Sequence, residues 1–372
     1  MKRLSKIYVL IVFGMLALGG CLWIGMPQKK FSQMENRYLT TWPSLNVKDI
    51  MQGNVQKQMA NAANDQFVLR DVWMQSATQI QKGLGIKDLN GVYFGRDGAY
   101  YEKVLESEAT WKRYKRNIGF VENFAKKTKS DVAVMLVPTA GTILKEELPD
   151  HAAFYDADKR YEEGGKRLKN ASWIQIQERL NKKKVKEQVY FHTDHHWTTQ
   201  GAYEGYCAYL GQVGKKAFPY EYFKPECVSE TFYGTLYSKA PVNTEPDQLV
   251  VPVNIPACHV TWDGKQREGI YVKSKLKEKD QYGVYFGGNY GMVEIVNEEN
   301  VENETLVIIK DSYANSLVPY LLPHYKKIVM LDLRYYNESV KSTVEQLEPE
   351  EILILYEMSR FSQDSNLVKL MR

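Results

Sequence analysis

Leu306-Val307-Ile308-Ile309-Lys310-Asp311-Ser312-Tyr313-Ala314-Asn315-Ser316 runs from an uninterrupted apolar stretch into a polar corner and out into a helix-forming one. Apolar residues in a row, with no polar alternation, describe a strand covered on both faces. Residues 315–322 then read as a helix, 327–333 as a strand, 339–347 as a helix and 352–356 as a strand. The same rhythm appears upstream. Residues 111–127 read as a helix, 131–137 as an apolar strand ended by Pro138, 161–182 as a helix and Val189-Tyr190-Phe191 as a short strand. Strands alternating with helices predict an α/β fold built on a parallel sheet flanked by helices on both faces.

Other segments depart from that rhythm. Residues 28–42 are polar and aromatic, a stalk and cap, and residues 47–82 carry a loosely amphipathic helical pattern through Val55, Met59, Phe67, Val72, Trp73 and Ile80. Gly91 to Tyr101 reads as a hairpin around an Arg96-Asp97-Gly98 turn. From about 216 to 301, glycines and short alternating runs (248–253, 259–262, 269–272) predict a β-rich insertion. The expected organisation is therefore an N-terminal signal anchor at 1–26, a stalk and helical segment at 27–90, and a catalytic domain at 91–372 holding that insertion.

Composition narrows the class. The chain has 372 residues, 44% hydrophobic and 25% charged, with a mean hydropathy of −0.45. These values exclude a disordered, collagen-like or multi-span membrane protein. Basic residues exceed acidic ones by only 49 to 45, which gives no reason to expect nucleic acid. Aromatic residues reach 12%, with 26 tyrosines, a composition that suits surfaces meeting sugars or peptides.

Lys2, Arg3 and Lys6 precede an uncharged run from Ile7 to Met26. Twenty helical residues at about 1.5 Å each span a bilayer's hydrocarbon layer, and the basic lead favours an inside N-terminus. An uncleaved single-span anchor with everything after it outside the cytoplasm is the expectation. Leu18-Gly19-Gly20-Cys21 leaves open a lipoprotein, and a cleaved signal remains a further alternative. Of the other cysteines, Cys227 and Cys258 are the pair that could form a disulfide, and Cys207 reads as a structural thiol on a helix.

Three of the six histidines, His192, His195 and His196, fall within Tyr190-Phe191-His192-Thr193-Asp194-His195-His196-Trp197-Thr198. A strand enters this segment and a helix leaves it, and Ser312 sits at a strand end before a helix. Ligands in open α/β sheets bind at the carboxyl ends of strands. A serine needs a base to become a nucleophile, histidine is suited to that work, and a carboxylate fixes its tautomer. Asp194 and His196 supply both. Each part has a plainer reading as well: Asp311-Ser312 as a helix cap, the histidine pair beside Trp197 as a structural cluster, or Asp194, His192, His195 and His196 as metal ligands. Adjacent side chains on an extended segment point oppositely and no second ligand cluster accompanies them, so the expectation is no metal and no cofactor.

At these residues the sequence resembles the DHHW protein family, named for Asp194-His195-His196-Trp197, which is similar to the SGNH hydrolase-like domains of the alginate O-acetyltransferases. Further matches are Glu35-Asn36-Arg37, Gly91 to Gly95, Phe232-Tyr233-Gly234-Thr235-Leu236-Tyr237 and Gly287-Gly288-Asn289, which together span about 31 to 360. The resemblance implies an SGNH hydrolase-like, flavodoxin-like fold with circularly permuted motif order. It implies Ser312 as nucleophile, His196 as base and Asp194 as its orienter. It also implies oxyanion donors from Gly288 and Asn289, beside the Ser312 amide.

Three functions stay open on the sequence. The first is a membrane-anchored O-acetyltransferase acting on an exported or cell-surface polysaccharide, with a multi-span membrane acyltransferase as acetyl donor. The second is an acetyl esterase sharing the acyl-enzyme, and the third an anchored carbohydrate-binding protein. Trp197 and Tyr313, with Tyr233 and Tyr237, are candidates to stack on sugar rings, and equally to be core or rim aromatics.

Overall fold

The computed structural model describes residues 2–43, 46–299 and 303–372. The chain divides into two units, Met1–Ile86 with Ser238–Asn243, and Lys87–Tyr237 with Thr244–Arg372.

In the first unit, α1 (Lys2–Gly25) leaves Ile7, Tyr8, Val9, Leu10 and Ile11 all exposed. Successive residues advance by about 100°, so five in a row circle the helix, and it has no polar side. Among the described residues no helix is long and apolar enough to cross a membrane. The spanning segment expected at 7–26 includes side chains at 16, 22 and 24 that lie outside the described ones. The predicted helix at 47–82 is three helices: Val47–Met51, α2 (Asn54–Asp65) and α3 (Arg70–Gly83). Gly53 (φ 74°) and Leu69 (φ 54°) break it by turning left-handed, a conformation a right-handed helix cannot continue through. The Glu35-Asn36-Arg37 match is structural: Arg37 forks onto Asp65 at 2.6 and 3.1 Å, and Arg70 pairs with Glu35.

The second unit begins with a small antiparallel sheet of Asp88–Leu89, Val92–Phe94 and Tyr100–Glu102, which includes the hairpin expected around Arg96-Asp97-Gly98. Next come α4 (Glu108–Lys127), capped by Ser107, and β1 (Asp131–Val137). The helix predicted at 161–182 is cut into α5 (Ala157–Arg167) and Ile176–Lys183 by β2 (Ser172–Trp173), which pairs with Ala133 and Val134. Gly164 makes the break fit, since any Cβ there would lie 2.8 Å from the Trp173 ring. Residues 189–191 form no strand of the sheet; a single bridge joins Tyr190 to Trp197 ahead of α6 (Thr199–Gln212).

The remaining strands are β3 (Cys258–Trp262), β4 (Lys265–Glu268), β5 (Met292–Asn297), β6 (Thr305–Lys310), β7 (Lys327–Leu331) and β8 (Glu351–Glu357), with α7 (Ala314–Leu321) and α8 (Val340–Leu347) between the last three. The eight strands lie in the order β4-β3-β5-β7-β6-β8-β1-β2. The sheet is mixed, which corrects the expectation of a wholly parallel one: β7, β6, β8, β1 and β2 are parallel, whereas β5, β3 and β4 are antiparallel. Burial explains the split. Leu306 to Lys310 on β6 and Ile352 to Glu357 on β8 are buried at every position, as strands covered on both faces must be, while β5 alternates buried with half-buried side chains.

The segment at 216–301 is thus not a separate β insertion. Its last three strands extend the large sheet, and only Pro225–Phe232 and Asp247–Pro252 pair apart from it. Residues 269–272 contribute a single bridge, Tyr271 to Tyr285, rather than a strand. Cys227 is exposed on that separate hairpin and Cys258 is buried on β3, both as free thiols, so the disulfide considered between them does not form.

The topology also marks a place. From β6 the chain crosses to β7 on one side, and from β7 it returns to β8 on the other side of β6. Right-handed crossovers in opposite directions send α7 and α8 to opposite faces and open a crevice at the carboxyl end of β6.

Candidate active site

β6 ends at Lys310, and the next two residues turn the corner. Asp311 is buried; its Oδ1 accepts from the Tyr313 amide at 2.9 Å and its Oδ2 from the Glu357 amide at 2.8 Å. Burial raises the Asp311 pKa, against the pull of those amides. The carboxylate ties the corner to the end of β8, so Ser312 projects at the crevice, half-buried, two residues before α7. Among the described residues, none accepts from the Ser312 amide.

A second loop, 192–197, reaches the same edge. Asp247 shapes it by accepting from the His192 amide at 2.8 Å, the Thr193 amide at 2.7 Å and the Thr193 hydroxyl at 2.6 Å. The structure then brings together residues 116 positions apart: His196 Nε2 lies 2.8 Å from Ser312 Oγ. On the far side of the ring, His196 Nδ1 lies 2.5 Å from Asp194 Oδ1, which also accepts from the His196 amide at 3.0 Å. A carboxylate accepts only, so the proton between them sits on Nδ1 and leaves Nε2 with a lone pair toward the serine. Asp194 and His196 are both buried.

The other carboxylate oxygen is held by a residue that sequence reading did not single out. Thr235 donates its amide (2.7 Å) and its hydroxyl (2.9 Å) to Asp194 Oδ2. The neighbouring Gly234 packs so tightly that any Cβ there would stand 2.2 Å from Asp194 Cβ. Burial alone would raise the Asp194 pKa; the two imidazoles and the donated hydrogen bonds hold it far below the ordinary carboxylate range instead. His195 turns to Thr235 Oγ1 at 2.7 Å, and burial, with the His196 imidazole beside it, pushes its pKa down to about 3, so it stays neutral. Tyr282 stacks on the His196 ring, centroids 3.9 Å apart and 9° from parallel, and donates to Ser312 O at 3.1 Å.

Trp197 and Tyr313, the candidates for sugar stacking, are in the core. Trp197 is 0% exposed and Tyr313 1%. The Trp197 indole donates to Tyr313 O at 3.1 Å and Ser316 Oγ at 2.9 Å, and Tyr313 donates its hydroxyl to His195 O. Rings without accessible faces cannot meet a ligand; they clamp the histidine loop to the start of α7.

Gly288 and Asn289 precede β5. Because β5 runs against β7, with Met292 opposite Leu331, its beginning lies at the carboxyl edge of the parallel strands, the edge that holds Ser312. Gly288 has φ 148°, and a Cβ there would meet nothing within 4 Å. Asn289 Oδ1 accepts from Lys310 Nζ at 3.0 Å and Asn315 Nδ2 at 3.2 Å. Oδ1 of Asp194 and ring nitrogens of His195 and His196 lie close enough together to share a cation. Both Asp194 oxygens and both His196 ring nitrogens are already engaged in hydrogen bonds, His195 Nδ1 is turned to Thr235, and His192 is exposed and outside the cluster.

A protein-family model described as DHHW protein matches residues 83–331. No curated protein matches the chain in sequence. Among solved structures, a DHHW family protein from Eubacterium siraeum superposes with a TM-score of 0.65 at 21% identity, covering 76% of this chain and 96% of that one. PatB1 from Bacillus cereus, determined with a sulfonyl adduct, gives 0.62 at 20% identity over 73% and 96% of the two chains. The O-acetyltransferase domain of Pseudomonas putida AlgJ gives 0.48 at 13% identity over 74% and 93%. The first two establish a shared fold.

Proposed function

We propose that this chain, which belongs to the DHHW protein family, is an O-acetyltransferase that acts on a cell-surface or exported polysaccharide through an acyl-enzyme on Ser312. The observation that carries the reading is the unbroken hydrogen-bonded line from Asp194 through His196 to Ser312 at the carboxyl edge of β6.

Each atom then has a task. His196 Nε2 takes the Ser312 proton as Oγ bonds to the acetyl carbon of the donor ester, and Asp194 stabilises the imidazolium that forms. The negative charge on the former carbonyl oxygen is met by the Ser312 amide, Gly288 and the Asn289 carboxamide, with the amino end of α7 adding its dipole. The intermediate collapses by breaking the donor's C–O bond, and His196 returns the proton to the leaving oxygen. A sugar hydroxyl repeats the sequence in reverse: it gives its proton to His196, attacks the acyl carbon and releases Ser312. Water in place of sugar would make the same site an esterase.

The uncharged run from Ile7 to Met26 is the proposed single membrane anchor, and the apolar side chains exposed all round the helix from Ile7 to Ile11 support that reading. An outward-facing enzyme of this kind needs acetyl groups delivered across the membrane, the task of a separate multi-span acyltransferase partner. The test is acetyl release from a chromogenic acetyl ester by the full-length chain, with and without an oligosaccharide acceptor, beside Ser312→Ala. An acetylated sugar made by the wild type and absent from the variant is the expected result. Activity unaffected by Ser312→Ala would overturn the serine assignment, and release to water alone, whatever the acceptor, would overturn transfer.

A further inference from the structure

We infer that Lys310 is a positioning residue that dictates which end of the Asn289 carboxamide faces the reacting centre. The inference rests on the proposed role of Asn289 as an oxyanion donor and extends it to a residue that acts through Asn289.

Lys310 closes a strand that is apolar from Leu306 to Ile309 and is 1% exposed. Among the described residues its ammonium has one ion pair, and a long one. The nearest carboxylate, Asp332, is 3.9 Å away and is bound by Arg334 at 2.8 and 2.5 Å. What it does have is two carboxamide oxygens, Asn289 Oδ1 at 3.0 Å and Asn315 Oδ1 at 2.7 Å. The triangle closes with Asn315 Nδ2 donating to Asn289 Oδ1 at 3.2 Å. Asn315 itself is fixed to the nucleophile's turn, its amide donating to Ser312 O at 3.2 Å.

A carboxamide has two ends of nearly equal shape, one that accepts and one that donates, and most surroundings tolerate either. An ammonium does not, because it has three donors and no lone pair. Lys310 therefore forces the oxygens of both asparagines toward itself. Asn289 Nδ2 is left pointing away, half-buried and with no hydrogen bond among the described residues. That is the orientation an oxyanion donor requires. The opposite one would set a carbonyl oxygen against the developing negative charge, turning attraction into repulsion.

Burial without a close counter-ion is costly for a lysine, and it pushes the Lys310 pKa down to about 8. An apolar side chain would fill the same space at the end of β6 with no such cost. The charge makes sense as an orienting device rather than as packing.

The experiment compares Lys310→Met, Asn289→Ala and the double variant in the full-length chain, measuring kcat and KM for acetyl transfer and the melting temperature. Asn289→Ala is expected to lower kcat about 10²- to 10³-fold with KM changed by less than about twofold. Lys310→Met is expected to lower kcat by at least about tenfold, again with KM held, and the double variant to be no worse than Asn289→Ala alone. Lys310→Gln, whose carboxamide pairs with either end of Asn289, keeps the test in force if the methionine variant fails to fold. It should share the kcat loss. Wild-type kcat in a folded Lys310 variant alongside an impaired Asn289→Ala would overturn the inference, as would losses that multiply in the double variant. A fully active Asn289→Ala would instead overturn the oxyanion assignment on which the inference rests.

Discussion

Replacing Gly234 with alanine puts the link between Asp194 and catalysis to a direct test, because it alters neither a charge nor a hydrogen-bonding group. The added methyl carbon would stand 2.2 Å from Asp194 Cβ, 2.4 Å from Oδ2 and 2.7 Å from Cα. Carbon atoms pack at about 3.5–4.0 Å, so roughly 1.3 Å of separation has to be created. The obstacle is the root of the aspartate, not a flexible tip. Nor can Asp194 swing aside without loss, because its Oδ1 is bonded to His196 twice and its Oδ2 to Thr235 twice. Overpacking of this kind costs about 1–3 kcal/mol, which a unit with so large a core survives. The catalytic loss is larger in proportion: a shift of about 1 Å in a positioned group costs on the order of 10²-fold in rate. Gly234→Ala should therefore stay folded, melt a few degrees lower and lose about 10²-fold in kcat for acetyl-ester turnover. Gly211→Ala is the control, since a Cβ at that position on α6 meets nothing within 4 Å and wild-type kcat is expected. A folded Gly234→Ala with kcat within about threefold of wild type would refute the claim that Asp194 must be held where it is.

His195→Gln should cost less than about tenfold in kcat and leave the acidic limb of the pH–rate profile in place, since His195 is already neutral there; His196→Gln should cost at least about 10³-fold, and steady-state kinetics across pH 4–9 compares them. Trp197→Phe should leave the KM for an oligosaccharide acceptor unchanged while lowering stability by about 1–3 kcal/mol, because Tyr313 O and Ser316 Oγ lose a buried donor; a raised KM with unchanged melting would return Trp197 to the sugar site. Lys310 gives a pH signature in stability. Its folded pKa of about 8 lies below the ordinary 10.5, so the unfolded chain binds more protons between those values and stability gains about 3 kcal/mol as pH rises through them. Lys310→Met removes that gain, so the stability difference between variant and wild type should shift by about that amount between pH 7.5 and 10.5, measured by denaturant unfolding; a constant difference would contradict it.

What the sequence disclosed depended on how local the cause was. The strands at β6 and β8 were legible because burial on both faces leaves a continuous apolar run, and the corner at Asp311-Ser312 was legible because it interrupts one. The direction of β5 was not, since an alternating run shows that one face is covered but not how the strand pairs. The candidate site divides in the same way. Asp194 and His196 are neighbours in the chain, so their chemistry could be read from one segment. Gly234 and Thr235 were noticed only as part of a matching segment, because their work depends on meeting a carboxylate 41 residues earlier for Thr235. Trp197 was ambiguous for a related reason: an indole beside two histidines suits a sugar platform as well as a core, and only the packing of α7 over it decides that it is a clamp. Lys310 looked like the polar end of a strand, where a lysine would ordinarily reach water. Its burial against two asparagine oxygens follows from the return of the chain at residue 289, twenty-one positions before it in sequence, and no periodicity or spacing records that approach. The residues proposed to react were therefore visible as types in a pattern, whereas the residues that hold them in place were visible only as contacts. Inspection of sequence alone would leave the second group out of a mutational survey, and the proposed mechanism makes its sharpest predictions at those positions.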